Sequence, residues 1–163
     1  MNFPKTPGQC KYMLALRSNK PIVIGTGPAG SGKTTLACQL ALDHVYKFQR
    51  PKIILTRPIV TVDEDMGYLP GDMDQKMEPW TKPMYDIFGN FFNHNQMDRF
   101  ITVEPLGYMR GRTFTDTLII ADEMQNATPN QMKMHLQNAV SRTRVYYTCG
   151  NGRKGYCPSP SGK

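Results

Sequence analysis

The stretch GPAGSGKTT, Gly27 to Thr35, comes shortly after the apolar run Ile22-Val23-Ile24, and together they constrain the chain more than any other feature. The stretch satisfies G-x-x-x-x-G-K-[ST], a pattern that cradles phosphate when a strand precedes it and a helix follows. Its glycines let the backbone turn so that successive N–H groups converge on phosphate oxygens, and the following helix adds its positive end. Gly27, Pro28, Ala29, Gly30, Ser31 and Gly32 form the loop, Lys33 brings a point charge, and Thr34 offers a hydroxyl to Mg²⁺ before Thr35 continues the helix. The plainer reading is a Gly-rich turn ahead of an ordinary helix. The strand-then-helix context favours the cradle.

The rest of the chain alternates short β-rich runs with helical stretches, which argues for a parallel sheet covered on both faces. Strands are expected at Ile22–Ile24 (ended by Gly25), Lys52–Thr56, Ile101–Val103, Thr117–Ala121 and Arg144–Thr148. Helices are expected over Thr34–Phe48, over Trp80–Phe92 with an aromatic face, and from Thr128-Pro129 to about Val140, where a capping hydroxyl precedes proline. Residues 62–80 read as a long loop or short helical pieces, and Asn93-His94-Asn95 as a polar break. The spacing of Trp80, Tyr85, Phe88, Phe91 and Phe92 fits a buried helix face better than a base-stacking surface. The Met124, Met132 and Met134 group likewise reads as packing, and His44, His94 and His135 form no partner pattern. At 163 residues the chain is about one domain long. The expected fold is therefore α/β, a mainly parallel sheet with helices on both faces.

Other classes recede on composition. No apolar run approaches the ~20 residues of a membrane span, and the N-terminus lacks an apolar leader, so no membrane association is expected. The four cysteines show no metal-ligand spacing, and scattered thiols suit a reducing, cytoplasmic setting. The formal charge of +7 permits a polyanionic partner, but the basic residues of the first fifty positions are spread rather than clustered.

The natural complement to the phosphate loop is Leu118-Ile119-Ile120-Ala121-Asp122-Glu123. An apolar strand ending in two carboxylates places Asp122 at the carboxyl edge of the sheet, where it can hold Mg²⁺ through water. Glu123 is then set to polarise an attacking water. Any buried strand can be followed by acidic residues, but this one lies downstream of a phosphate loop with intervening strands.

Five blocks carry a resemblance: GPAGSGKT, ILTRPIV (Ile54 to Val60), GYLPGDMDQKMEPWTKPMYD (Gly67 to Asp86), PLGYMRGRTF (Pro105 to Phe114) and IIADEMQNATPNQMKMHL (Ile119 to Leu136). In order and spacing the chain resembles the PhoH family, P-loop ATPases related to superfamily 1 helicase cores, over about residues 3 to 148. The resemblance implies a RecA-like P-loop NTPase fold, three-layer α/β/α with a mainly parallel sheet, and ATP and Mg²⁺ as cofactors, with Thr34 and Asp122 as metal ligands and Lys33, Asp122 and Glu123 as the catalytic set. It also implies an adenine-recognition element at Phe3 to Gln9, in which the Gln9 amide pairs with the base edge and Tyr12 stacks on the ring. An N-terminal arm with an incidental Gln is the alternative. Arg57, Arg110, Arg112 and Gln125 become candidates for contacting nucleic acid or a neighbouring subunit's nucleotide. Salt bridges are the competing reading for the arginines, with Asp63, Glu64 or Asp65 in the case of Arg57. RNA or single-stranded nucleic acid and a ring-like homo-oligomer are the implied partners.

The chain departs from the family after the fifth strand. The family has a Thr-Gly-Asp block followed by a Gln; here Tyr147-Thr148-Cys149-Gly150-Asn151 stands instead. Residues 1–148 thus read as the ATPase core. Residues 149–163 read as a tail outside the family pattern, rich in Gly, Pro and Ser and expected to be disordered. Phosphate and magnesium ligands survive this change better than catalysis does, which leaves a second reading open: a nucleic-acid-binding or assembly module that binds ATP without efficient hydrolysis.

Overall fold

The computed structural model describes residues 4–48, 52–58, 73–138 and 143–150. Its elements run α1 (Pro7–Arg17), β1 (Ile22–Thr26), α2 (Lys33–Phe48), β2 (Lys52–Thr56), α3 (Met73–Gly89), α4 (His94–Phe100), β3 (Ile101–Val103), β4 (Thr117–Ala121), α5 (Pro129–Asn138) and β5 (Arg144–Cys149). Two 3-10 turns, Leu106–Met109 and Met124–Asn126, follow β3 and β4. The five strands form one all-parallel sheet in the order β1-β5-β4-β2-β3. β5, the last strand, is thus inserted between the strand that leads into the phosphate loop and the strand that ends in Asp122.

Strand side chains alternate between faces, so each strand feeds two cores. Ile53, Leu55, Leu118, Ile120 and Tyr146 join α1–α4 residues such as Leu16, Leu36 and Phe88 on one face. Ile54, Ile119, Val145 and Tyr147 join Met109, Phe114, Met124 and Met132 on the other. The layers are therefore α/β/α. All five residues of β4 are buried, as a central parallel strand requires. Met124 and Met132 pack in this second core, while Phe88 and Phe92 pack in the first. His44, without a role on sequence grounds, is a buried structural residue. Tyr146 donates to Leu16 O at 2.9 Å, so His44 Nε2 is the donor across 2.8 Å to the Tyr146 hydroxyl.

Several boundaries differ from expectation for physical reasons. Gly25 does not end β1; the Tyr12 ring lies so close that a Cβ on Gly25 would sit 2.5 Å from Tyr12 Cε2, and the glycine lets the strand pass beneath it. The N-terminal arm is the helix α1, started by a capping box in which Thr6 Oγ1 accepts from Gln9 N and Gln9 Oε1 accepts from Thr6 N. Helix α3 begins at Met73, seven residues before the expected start at Trp80, and ends at Gly89. The polar break is the start of α4, with Asn93 as cap and Gln96 closing the box. β5 runs through Cys149, which is 1 % exposed, so the departure from the family pattern begins inside the sheet. Residues 59–72, which hold Asp63, Glu64, Asp65 and the LPGD block, lie outside the described residues, as do 151–163.

Candidate nucleotide-binding site

β1 delivers the chain into the loop 27–32, and α2 begins at Lys33. Gly30 and Gly32 adopt φ of 72° and 81°, left-handed values that side chains resist, which explains glycine at both positions. Lys33 Nζ rests on the loop itself, donating to Gly27 O at 3.0 Å, Pro28 O at 2.8 Å and Ser31 Oγ at 3.1 Å. Those three oxygens occupy the ammonium's three donors, the role that phosphate oxygens would take over.

Thr34, one residue into α2, donates to Asp122 Oδ1 at 2.8 Å. Asp122 is 7 % exposed, and its backbone N–H bonds Thr56 O at 2.9 Å, which fixes it at the carboxyl end of β4 beside β2. A second hydroxyl, that of Thr148 on β5, donates to the same Asp122 oxygen. Thr148 was not among the expected site residues; its only signal is that it lies near the end of the strand inserted between the two halves of the site. The donor set here is oxygen from one carboxylate and hydroxyls. That suits a hard cation such as Mg²⁺, which takes one or two protein ligands and completes its shell with phosphate and water. Among the described residues no cluster of three or more His, Cys, Asp or Glu could hold a metal alone.

Glu123 is half-buried and left-handed, with φ 51° and ψ 37°. A non-glycine residue held there is sterically costly, and such residues concentrate at functional sites. Its carboxylate accepts a hydrogen bond from Gln125 Nε2, and Gln125 Oε1 accepts from Gly150 N at 2.7 Å.

Gln9 closes the other side. Its Nε2 donates to Ser31 O of the loop at 3.0 Å, while Oε1 accepts from Lys5 N at 2.7 Å as well as from Thr6 N. Gln9, Tyr12, Thr26, Pro28 and Lys33 line a cavity of about 420 Å³ between α1 and the loop. Tyr12, the expected stacking residue, is half-buried on the wall of this cavity. Its ring covers Gly25 and its hydroxyl is buried without a hydrogen-bond partner among the described residues. Burial above all, then the Tyr146 hydroxyl and the Asp122 carboxylate, pushes the Tyr12 pKa up. Burial and Asp122 push the Cys38 thiol up in the same way.

The remaining candidates lie outside this cluster of contacts. Arg57 follows β2 half-buried, and its carbonyl accepts from Leu106 N at 3.4 Å. Arg110 is exposed. Arg112 is ion-paired with Glu104 and lies 5.2 Å over the Phe114 ring, so for this residue the structure contains the salt bridge. A larger open groove of about 1200 Å³ lies where α3, α4 and β3 meet, and shares no residue with the phosphate loop.

A parallel sheet with helices on both faces, and a Gly-rich loop between its first strand and the helix that follows, define a P-loop NTPase fold. The large terminase of a thermophilic bacteriophage has the same fold, with a TM-score of 0.59 at 11 % identity over 90 % of this chain and 39 % of that one. The structure of that terminase in complex with ADP gives 0.57 at 11 % identity, over the same shares of the two chains. The family model described as "PhoH-like protein" matches residues 3–148, and the chain belongs to this family. The PhoH-like protein of Bacillus subtilis strain 168 is 44 % identical over 137 residues, 81 % of this chain and 43 % of that protein. Protein PhoH of Escherichia coli K12 is 36 % identical over 165 residues, 97 % of this chain and 46 % of that protein. The chain thus spans less than half the length of these relatives. No helix among its described residues is long and apolar enough to cross a membrane.

Proposed function

We propose that the chain binds ATP with Mg²⁺ in the loop Gly27–Thr35 and hydrolyses it, residues 1–148 forming the ATPase core. The observation that carries this reading is the 2.8 Å bond from Thr34 to Asp122, which joins the phosphate loop to the carboxylate end of β4. The ADP bound by a terminase of the same fold supports a nucleotide as the ligand. On ATP entry Lys33 exchanges three loop oxygens for phosphate oxygens, and the amides of residues 27–34 take the remaining charge. Bound Mg²⁺ would offset the phosphate charge between Thr34 and Asp122. Glu123 orients a water in line with the terminal phosphate and accepts its proton. Gln9 would read the adenine edge by releasing Ser31 O.

Lys33→Ala should abolish ATP binding in calorimetry, and an unchanged affinity would remove the assignment. Glu123→Gln should keep binding and stop turnover; persistent turnover would place the base elsewhere.

A second reading has support from one loop, where Tyr108 is 61 % exposed beside the exposed Arg110. An aromatic face and a guanidinium together suit RNA or single-stranded nucleic acid. If such a strand is the partner, it should raise ATP turnover and bind with steep salt dependence. Neither effect being seen would retire this reading and leave the ATPase untouched.

A further inference from the structure

We propose that Gln125 is the positioning residue of Glu123, and that it couples this carboxylate to the backbone of residue 150, where the chain leaves β5. The inference rests on the reading that Glu123 orients the attacking water. Gln125 spends both ends of one planar amide on the two groups. Nε2 donates to Glu123 Oε2, and Oε1 accepts from Gly150 N at 2.7 Å. Because the amide is rigid, a displacement at one end is passed to the other.

Two independent features place the strand exit against the carboxylate. A Cβ on Gly150 would lie 3.0 Å from Gln125 Nε2 and 3.7 Å from Glu123 Oε2, so nothing larger than glycine fits without moving the bridge. Two residues earlier on the same strand, the Thr148 hydroxyl donates to Asp122. The end of β5 thus touches both carboxylates of the site, one through a hydroxyl and the other through Gln125. Glu123 itself sits in the left-handed region, which side chains populate sparsely, so its direction needs holding. It follows that displacing Gly150 changes turnover while leaving nucleotide affinity alone. The plainer account is that Gln125 only ties off the 3-10 turn, a bond between residues two apart that transmits nothing.

Three measurements on the full chain separate these accounts. Gln125→Leu should lower kcat by about 10- to 100-fold, the cost of a slight misplacement of a reacting group, with the ATP dissociation constant held within about twofold. Gly150→Ala should lower kcat alone but add nothing in the Gln125→Leu background, because both act through one bridge. Glu123→Ala should speed hydrogen exchange of the Gly150 amide by about tenfold or more, because Gln125, the acceptor of that amide, loses the carboxylate that holds it in place. Equal exchange in wild type and Glu123→Ala, or additive losses in the double variant, would overturn the bridge. A wild-type chain without turnover would instead sink the ATPase reading, and the exchange experiment would still decide the coupling.

Discussion

Thr148 shows what a single hydroxyl does at this site. It and Thr34 donate to one oxygen of Asp122, so the buried carboxylate is held from β5 as well as from α2. If Thr34 offers a lone pair to a bound metal, as proposed, Thr148 remains a second donor to the same carboxylate. Thr148→Val keeps the shape and removes the donor. We expect it to weaken ATP affinity by about 1.5–3 kcal/mol in Mg²⁺, the worth of a hydrogen bond to a charged group, and to leave Mg²⁺-free binding unchanged. Equal losses in both conditions, read by calorimetry, would mean that Thr148 merely packs. Legibility at this scale divides by mechanism. Lys33, Thr34, Asp122 and Glu123 stand at positions that a local pattern fixes. Thr148 and Gly150 act only because a late strand is inserted between two early elements, and no local spacing encodes that neighbour.

At the scale of elements, the expected strands were found in place because each is a short apolar run that alternates sides. The helices were read less well. α1 has one buried residue, Leu16, and mostly exposed positions, so hydrophobic periodicity hardly marks it; its true signal is the Thr6–Gln9 capping box. The same box chemistry at Asn93 and Gln96 starts α4 where polarity alone suggested a break. Residues 73–79 were expected as loop or short helical pieces, yet α3 starts at Met73 and runs through Pro79 and Pro83, an instance of tertiary context overriding propensity. The fit of α1 to β1 depends on Gly25. Gly25→Ala sets a methyl 2.5 Å from the Tyr12 ring, and overpacking of this kind should cost about 1–3 kcal/mol in urea unfolding. Adding Tyr12→Ala should recover part of the loss; additive losses would show that the ring is not the obstacle.

For the whole molecule, buried Tyr and Cys side chains make stability fall on the alkaline side. Burial raises Tyr12 and Tyr147 above their ordinary value of 10.0 and Cys38 above 9.0. The unfolded chain therefore gives up these protons at lower pH than the folded one. Stability from these groups is complete below about pH 9 and is lost as pH climbs through 9 to 10 and beyond. Urea midpoints should hold level from about pH 7 to 8.5 and then fall; a midpoint that rises above pH 9 would contradict this. The order of the sheet has a consequence for synthesis on the ribosome. β1 pairs with β5 alone among the described strands, Ile22 through Thr26 lying beside Val145 through Cys149, so the ladder joins the two ends of the core. β1 must wait for β5, and non-local pairing of this kind is slow to form. A nascent chain stalled before Arg144 should pass through ATP-agarose unretained, and one released beyond Gly150 should bind. The phosphate loop, made before four of the five described strands, would then become competent only after β5 has joined the sheet.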